Sequence, residues 1–194
     1  VDVKSYGISL MSFSSHKIYG PKGVGALYVS RAAMSRLTPQ MHGGGHEMGL
    51  RSGTLNVSAI AGFGKAAEIS GKRMYDDFEK QIVMRDRLTE NFIRRLPHVY
   101  LNGHRSKRLP NTANICFEGV PASALFGRIR DVAVSTGSAC SSATLQDSHV
   151  LKALGLTADR IKSSIRFSIG RMTTNEDIDA VTDKFIEEAN KLRN

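Results

Sequence analysis

The chain has 194 residues, 41% hydrophobic and 23% charged, with 18 Gly, 5 Pro and no Trp, proportions that exclude a disordered or low-complexity tail. No apolar run approaches the ~18 residues of a membrane-spanning helix, and the length suits one domain or one and a fraction. The 27 basic and 18 acidic residues leave a net charge of +9, but the basic residues are scattered with few aromatics among them, which favours a solvated surface or an acidic protein partner over nucleic acid.

The first residue is Val1, and no signal peptide precedes it. Ile8, Leu10, Met11 and Phe13 read like the middle of a folded domain, so the front of that domain is expected to lie upstream. Val24–Val29 is a short apolar run after the turn signal Gly20-Pro21, and predicts a buried strand. Residues 41–53 are Gly-rich and aperiodic, and predict a loop. From Val57 to Arg95 apolar residues recur every three or four positions, which predicts a long helix with a bend at Gly71 and an end at Pro97.

The second half alternates. Ala113–Phe117 reads as a strand, Ser123–Arg130 as a helix led by Pro121, and Val132–Val134 as a short strand. His149–Leu154 is a helix stopped by Gly155, Ser164–Ile169 a strand, and Asn175–Leu192 an amphipathic helix. Thr173 and Glu176 have the spacing of a capping box at the start of that helix. Such alternation predicts α/β or α+β packing around one substantial core.

Chemistry concentrates in few places. Ser14-Ser15-His16-Lys17 stands just before the Gly20-Pro21 turn. A lysine there is ordinarily a surface charge, but two hydroxyls and an imidazole supply donors for a phosphate. A lysine kept partly desolvated beside them becomes a nucleophile for aldehydes. That combination suits a pyridoxal phosphate (PLP) site.

The two cysteines lie far apart, so free thiols in a reducing compartment are expected. Cys116 sits in an apolar strand and reads as core. Cys140 is flanked by Gly137, Ser138, Ala139, Ser141 and Ser142, small residues that suit a reactive thiol on a mobile loop, though they also suit an idle one. His42 and His46 are four apart, but the three glycines between them oppose a helix, so loop or interface roles are expected and no metal site. Lys22, His104 and His149 read as surface or helix residues. For Arg51 a contact with a partner subunit stays open.

Four stretches together carry a family resemblance: SFSSHKIYGPKGVGALYV at 12–29, HGGGHEMGLRSGT at 42–54, VSTGSACSSATL at 134–145 and SSIRFSIGRMTT at 163–174. In that order they resemble the cysteine desulfurases, fold-type-I PLP enzymes of the class-V aminotransferase family that supply sulfur for iron–sulfur clusters. The resemblance implies an α/β fold in which residues 1–75 end the large PLP-binding domain and residues 76–194 form a small C-terminal α+β domain carrying the Cys140 loop.

It further implies roles for single residues. Lys17 would hold PLP as a Schiff base, with Ser14, Ser15 and His16 beside its phosphate. Thr54 would reach the phosphate of the neighbouring subunit of a homodimer, and Arg166 would clamp the substrate carboxylate. Cys140 would take sulfur from L-cysteine as a persulfide, release L-alanine, and serve as a transient iron–sulfur ligand shared with a scaffold protein. The sulfur would go to that scaffold and other acceptors, for cluster assembly and tRNA thiolation. The implied compartment is bacterial cytoplasm or mitochondrial matrix, with no direct nucleic-acid or membrane contact.

The family's aspartate at the pyridine nitrogen and its ring-stacking histidine belong to a segment before Lys17. A chain starting at Val1 is therefore expected to have little activity alone, and one ending at Asn194 to lack the tail that helps scaffold docking. The competing expectations are a catalytically incomplete dimerisation or interaction module, and a selenocysteine lyase-like enzyme.

Overall fold

The computed structural model describes residues 1–136 and 148–193. It has a mixed α/β architecture and divides into two compact units, Val1–Met74 and Tyr75–Asn194. No helix among the described residues is long and apolar enough to cross a membrane.

In the first unit, β1 (Leu10–Ser14) pairs antiparallel with β2 (Gly25–Val29), Leu10 opposite Val29 and Ser14 opposite Gly25. A Cβ at Gly25 would stand 2.4 Å from the Phe13 carbonyl oxygen, so the pair closes only with glycine there. One 3₁₀ turn, Ser15–Ile18, follows β1 and ends at Tyr19, whose φ of 65° is left-handed. After β2 comes the short helix α1 (Arg31–Met34). The Gly-rich stretch is a loop, as expected, and it is bonded to itself. Gly45 N–H donates to Ser52 Oγ at 3.3 Å, and Gly53 N–H donates to His46 Nδ1 at 3.3 Å.

Helix α2 (Val57–Arg95) has the predicted bounds. Asn56 caps it, its Oδ1 accepting from Ala59 N–H at 3.2 Å. The helix continues through Gly71 without interruption. Nothing lies within 4 Å of a Cβ placed at Gly71, and no neighbour there forces a kink. The division between the units falls within this helix.

The second unit is built on a three-stranded antiparallel sheet, β3 (Val99–Leu101), β4 (Thr112–Phe117) and β5 (Ser164–Ser168), in that order. Ile115, Phe117, Ile165 and Phe167 turn one face of the sheet into the core, where they meet Leu88, Phe92 and Phe185. The Phe92 ring lies 5.1 Å from Phe117 and 5.3 Å from Phe167, centre to centre. Burial of each such ring contributes about 2–3 kcal/mol. Helices α3 (Ala122–Arg128), α4 (His149–Ala153), α5 (Ala158–Lys162) and α6 (Asn175–Arg193) complete the unit.

Two expectations fail here. Val132–Val134 is no strand: among the described residues β5 is met on that side by a single antiparallel bridge, Ser135 to Arg166. Val132 and Val134 are apolar because they pack on the core, not because they join a ladder. The capping box of α6 lies one residue later than its spacing suggested. Thr174 N–H donates to Asp177 Oδ2 at 2.9 Å and Asp177 N–H to Thr174 Oγ1 at 3.1 Å, while the Thr173 hydroxyl accepts from Gly170 N–H.

Candidate active site

The turn that carries Lys17 is tied at both ends by one residue. Ser15 N–H donates to Val24 O at 3.2 Å, and Ser15 O accepts from Gly20 N–H at 3.0 Å. This fixes the backbone of four consecutive candidate residues and sorts their side chains. Ser14, His16 and Lys17 are exposed, and among the described residues none of the three side chains has a hydrogen-bond partner.

Ser15 is the exception. Its side chain is fully buried, and a Cβ at Gly20 would stand 2.1 Å from Ser15 Oγ and 3.1 Å from Ala66 Cβ. The hydroxyl is pressed under Gly20 and has no partner among the described residues. Lys17 also departs from expectation, because its ammonium is solvent-exposed in this chain and not desolvated. Three free donors on one turn fit a phosphate and an aldehyde group, so the residues present suit PLP.

Thr54 stands exposed in the loop ahead of α2, directly after Gly53, whose N–H is held by His46. Glu47 and Met48 in that loop take left-handed φ values of 53° and 56°, a strained backbone of the kind that collects at functional sites.

In the second unit Arg166 lies at the middle of β5. Its neighbours Ile165 and Phe167 point into the core, so the strand's alternation turns Arg166 to the opposite face. Asn114 on β4 stands directly across from it, and Ser135 bonds its backbone from the other side. The Arg166 Nε is buried and without a partner among the described residues. A buried donor left open suits an anionic ligand, and a guanidinium matches a carboxylate in shape.

Cys116 shares that face of the sheet, opposite Ser164, and is 1% exposed. Burial pushes its thiol up, against the smaller opposing effects of the Arg160 charge and the neighbouring Ser164 hydroxyl. It is a core cysteine, as its apolar strand predicted. Cys140, expected to be the sulfur-accepting thiol, lies outside the described residues.

The polar residues around Arg166, namely Asn102, Asn114, Arg160 and Ser164, were not found by sequence reading. Only the alternation in Thr112–Phe117 hinted at a polar face, through Asn114 between Ala113 and Ile115.

Comparison with known proteins agrees along most of the chain. Cysteine desulfurase IscS of Acinetobacter baumannii (strain AYE) is 51% identical over 181 residues, 93% of this chain and 44% of that protein. Cysteine desulfurase IscS of Pectobacterium atrosepticum is 48% identical over 193 residues, 100% of this chain and 48% of that protein. The chain thus spans about half the length of the curated relatives it matches. Among solved structures, the NifS-like protein from Rickettsia africae ESF-5 superposes with a TM-score of 0.82 at 33% identity, over 98% of this chain and 50% of that one. A structure described as SspA in complex with cysteine gives a TM-score of 0.64 at 32% identity, over 87% of this chain and 46% of that one. Residues 1–181 match the model of the class-V aminotransferases, and it is to that family that the chain belongs.

Proposed function

We propose that this chain is part of a PLP-dependent cysteine desulfurase, which converts L-cysteine to L-alanine and leaves the sulfur as a persulfide on Cys140. The observation that carries the reading is the turn Ser15–Ile18 with its N-cap Ser14, where the Ser14, His16 and Lys17 side chains project into solvent without a hydrogen-bond partner among the described residues. Relatives named cysteine desulfurase support it, as does the cysteine complex of SspA. In the same reading residues 1–75 end the large PLP-binding domain and residues 76–194 form the small domain. The division of the chain between Met74 and Tyr75 supports that boundary.

PLP, when bound, supplies an electron sink conjugated to the substrate's Cα. The chain's own groups do the rest. Ser14, His16 and, from the other subunit of a homodimer, Thr54 donate hydrogen bonds to the phosphate. Ser15, buried under Gly20, holds the turn. The Lys17 amine binds the cofactor and moves the Cα proton. Arg166 orients the substrate through its carboxylate. The Cys140 thiolate attacks the substrate sulfur: an S–S bond forms, the C–S bond breaks, and its electron pair ends as a C–H bond of alanine. The persulfide then passes to an iron–sulfur scaffold protein or another acceptor, with the nascent cluster as cargo that Cys140 ligates transiently. The bacterial relatives point to the cytoplasm.

Two measurements test this. PLP added to the chain and trapped with borohydride is expected on Lys17, located by mass spectrometry of the peptides. Alanine release from L-cysteine by the whole enzyme that carries this chain is expected to disappear in Cys140→Ser and in Lys17→Ala. Trapping spread over the exposed lysines with no preference for Lys17, or alanine release by the whole enzyme that survives either substitution, would overturn the proposal.

A further inference from the structure

The face of the sheet that bears Arg166 holds a closed ring of hydrogen bonds. Arg160 Nε–H donates to Asn102 Oδ1 at 2.8 Å. Asn102 Nδ2 donates to Ser164 Oγ at 2.8 Å and to Asn114 Oδ1 at 2.7 Å. Ser164 Oγ in turn donates to the Arg160 carbonyl at 2.6 Å. Asn102 is 3% exposed and Ser164 fully buried, so water does not compete for these bonds.

The chemistry of the groups fixes every proton. A guanidinium can only donate, so the Asn102 carbonyl must face Arg160 and its amine must face the other way. The Ser164 hydrogen is spent on the Arg160 carbonyl, so Ser164 accepts. The atom of Asn114 that meets the Asn102 amine must then be an acceptor, its carbonyl oxygen. Turning the Asn102 amide over would break all three of its side-chain bonds, and with Asn102 so held, turning Asn114 would break the bond it accepts and set amine against amine. Asn102 also holds the Asn114 main chain, its N–H donating to Asn114 O at 2.8 Å.

Asn114 stands on the central strand between Asn102 and Arg166, opposite Arg166 in register. Cross-strand partners this placed have their Cβ atoms about 5 Å apart, within reach of an amide–guanidinium bond. An Asn114 carbonyl facing β5 would satisfy Arg166. It faces Asn102 instead, and among the described residues Arg166 Nε is left buried and unpaired.

We propose that Arg160 and Asn102 are positioning residues for Arg166: they lock the Asn114 amide with its carbonyl turned away, deny Arg166 an acceptor across the ladder, and so keep its guanidinium open to an amino-acid carboxylate. This rests on the reading of Arg166 as the carboxylate clamp.

The test follows the Nε–H resonance of Arg166 in isotope-labelled chain by NMR, assigned through its loss in Arg166→Lys. Asn102→Asp keeps the shape of Asn102 but can no longer donate, so the Asn114 amide turns over. The Arg166 Nε–H is expected to move downfield and exchange more slowly with no ligand present. Binding of L-cysteine, followed on the same resonance with carboxylate-free cysteamine as control, is expected to weaken about tenfold. Asn102→Asp/Asn114→Leu, which keeps the new charge and removes the carbonyl, restores both readings.

Arg160→Met, at a half-buried site, frees the Asn102 amide and shifts the resonance the same way by less. An unchanged Nε–H in Asn102→Asp and Arg160→Met, or a double variant that restores nothing, would overturn the positioning role. A wild-type resonance that L-cysteine leaves in place would overturn the clamp reading alone, while the ligand-free response to Asn102→Asp still decides the positioning.

Discussion

Arg171, three residues past the end of β5, meets Asp77 on α2 with Nη2 2.7 Å from Oδ2, and the two side chains are only 14% and 17% exposed. Arg171 Nε donates to the same oxygen at 2.8 Å, and Lys80 Nζ donates to the Arg171 carbonyl at 2.9 Å. The pair pins the segment after the Arg166 strand to the long helix, 94 positions away in sequence. A pair this sheltered is worth little as attraction but costs much to break on one side. Asp77→Ala is expected to destabilise the chain by about 2 kcal/mol in urea unfolding. Asp77→Leu/Arg171→Met should recover most of that. A double variant as unstable as the single would show that the charge pair itself, and not the loss of one partner beside a sheltered charge, holds the segment.

Ser15 yields a prediction that separates two roles. Its hydroxyl is buried, crowded by Gly20 and without a partner among the described residues. Removing a buried hydroxyl that makes no bond relieves its desolvation, so Ser15→Ala should be neutral or stabilising by up to about 1 kcal/mol. PLP affinity should not change. Ser14→Ala, by contrast, should weaken PLP binding by about tenfold while leaving the melting temperature in place. A loss of PLP affinity in Ser15→Ala would return that hydroxyl to the phosphate.

These two cases mark how far the sequence could be read. Local signals were legible where chemistry is local: the periodicity of Val57–Arg95, the stop at Gly155 with its φ of 74°, and the apolar strand around Cys116. What escaped depends on pairing between distant segments. β1, β3, α1 and α5 are three to five residues long, too short for a periodicity to show. The Val132–Val134 error has the same root, since an apolar run reports burial and not a ladder. Four adjacent polar residues at 14–17 looked equivalent in sequence. Only the backbone turn shows that Ser15 points in and its neighbours out. The ring of Asn102, Arg160 and Ser164 joins positions up to 62 apart and left no mark on the sequence at all.

The one-residue shift in the cap of α6 is testable in its own right. Thr174 and Asp177 exchange side-chain to backbone bonds, and Asp177 also stands at the positive end of the helix. Thr174→Ala should cost about 1 kcal/mol by denaturant unfolding. Asp177→Ala should cost a similar amount, and the double variant less than their sum because the two bonds share one turn. Strict additivity would mean that the caps act separately.

Cys116 carries the last prediction, on pH. Burial lifts its thiol above the ordinary value of 9.0, the value it regains when the chain unfolds. Below pH 9 both states hold the proton, and Cys116 adds no pH dependence. Above it the unfolded chain loses the proton first, so alkali favours unfolding. Stability should therefore fall as pH rises past 9, by at most about 1.4 kcal/mol per pH unit from this group, until the folded thiol also ionises. Other groups titrate in the same range, so the informative quantity is the difference between wild type and Cys116→Ala across pH 8 to about 10.5. The variant starts less stable because it leaves a small cavity beside Ser164. The gap should narrow with rising pH. Curves that stay parallel would mean that the thiol is no harder to ionise folded than unfolded, and that its burial on the Arg166 face is less complete than its 1% exposure indicates.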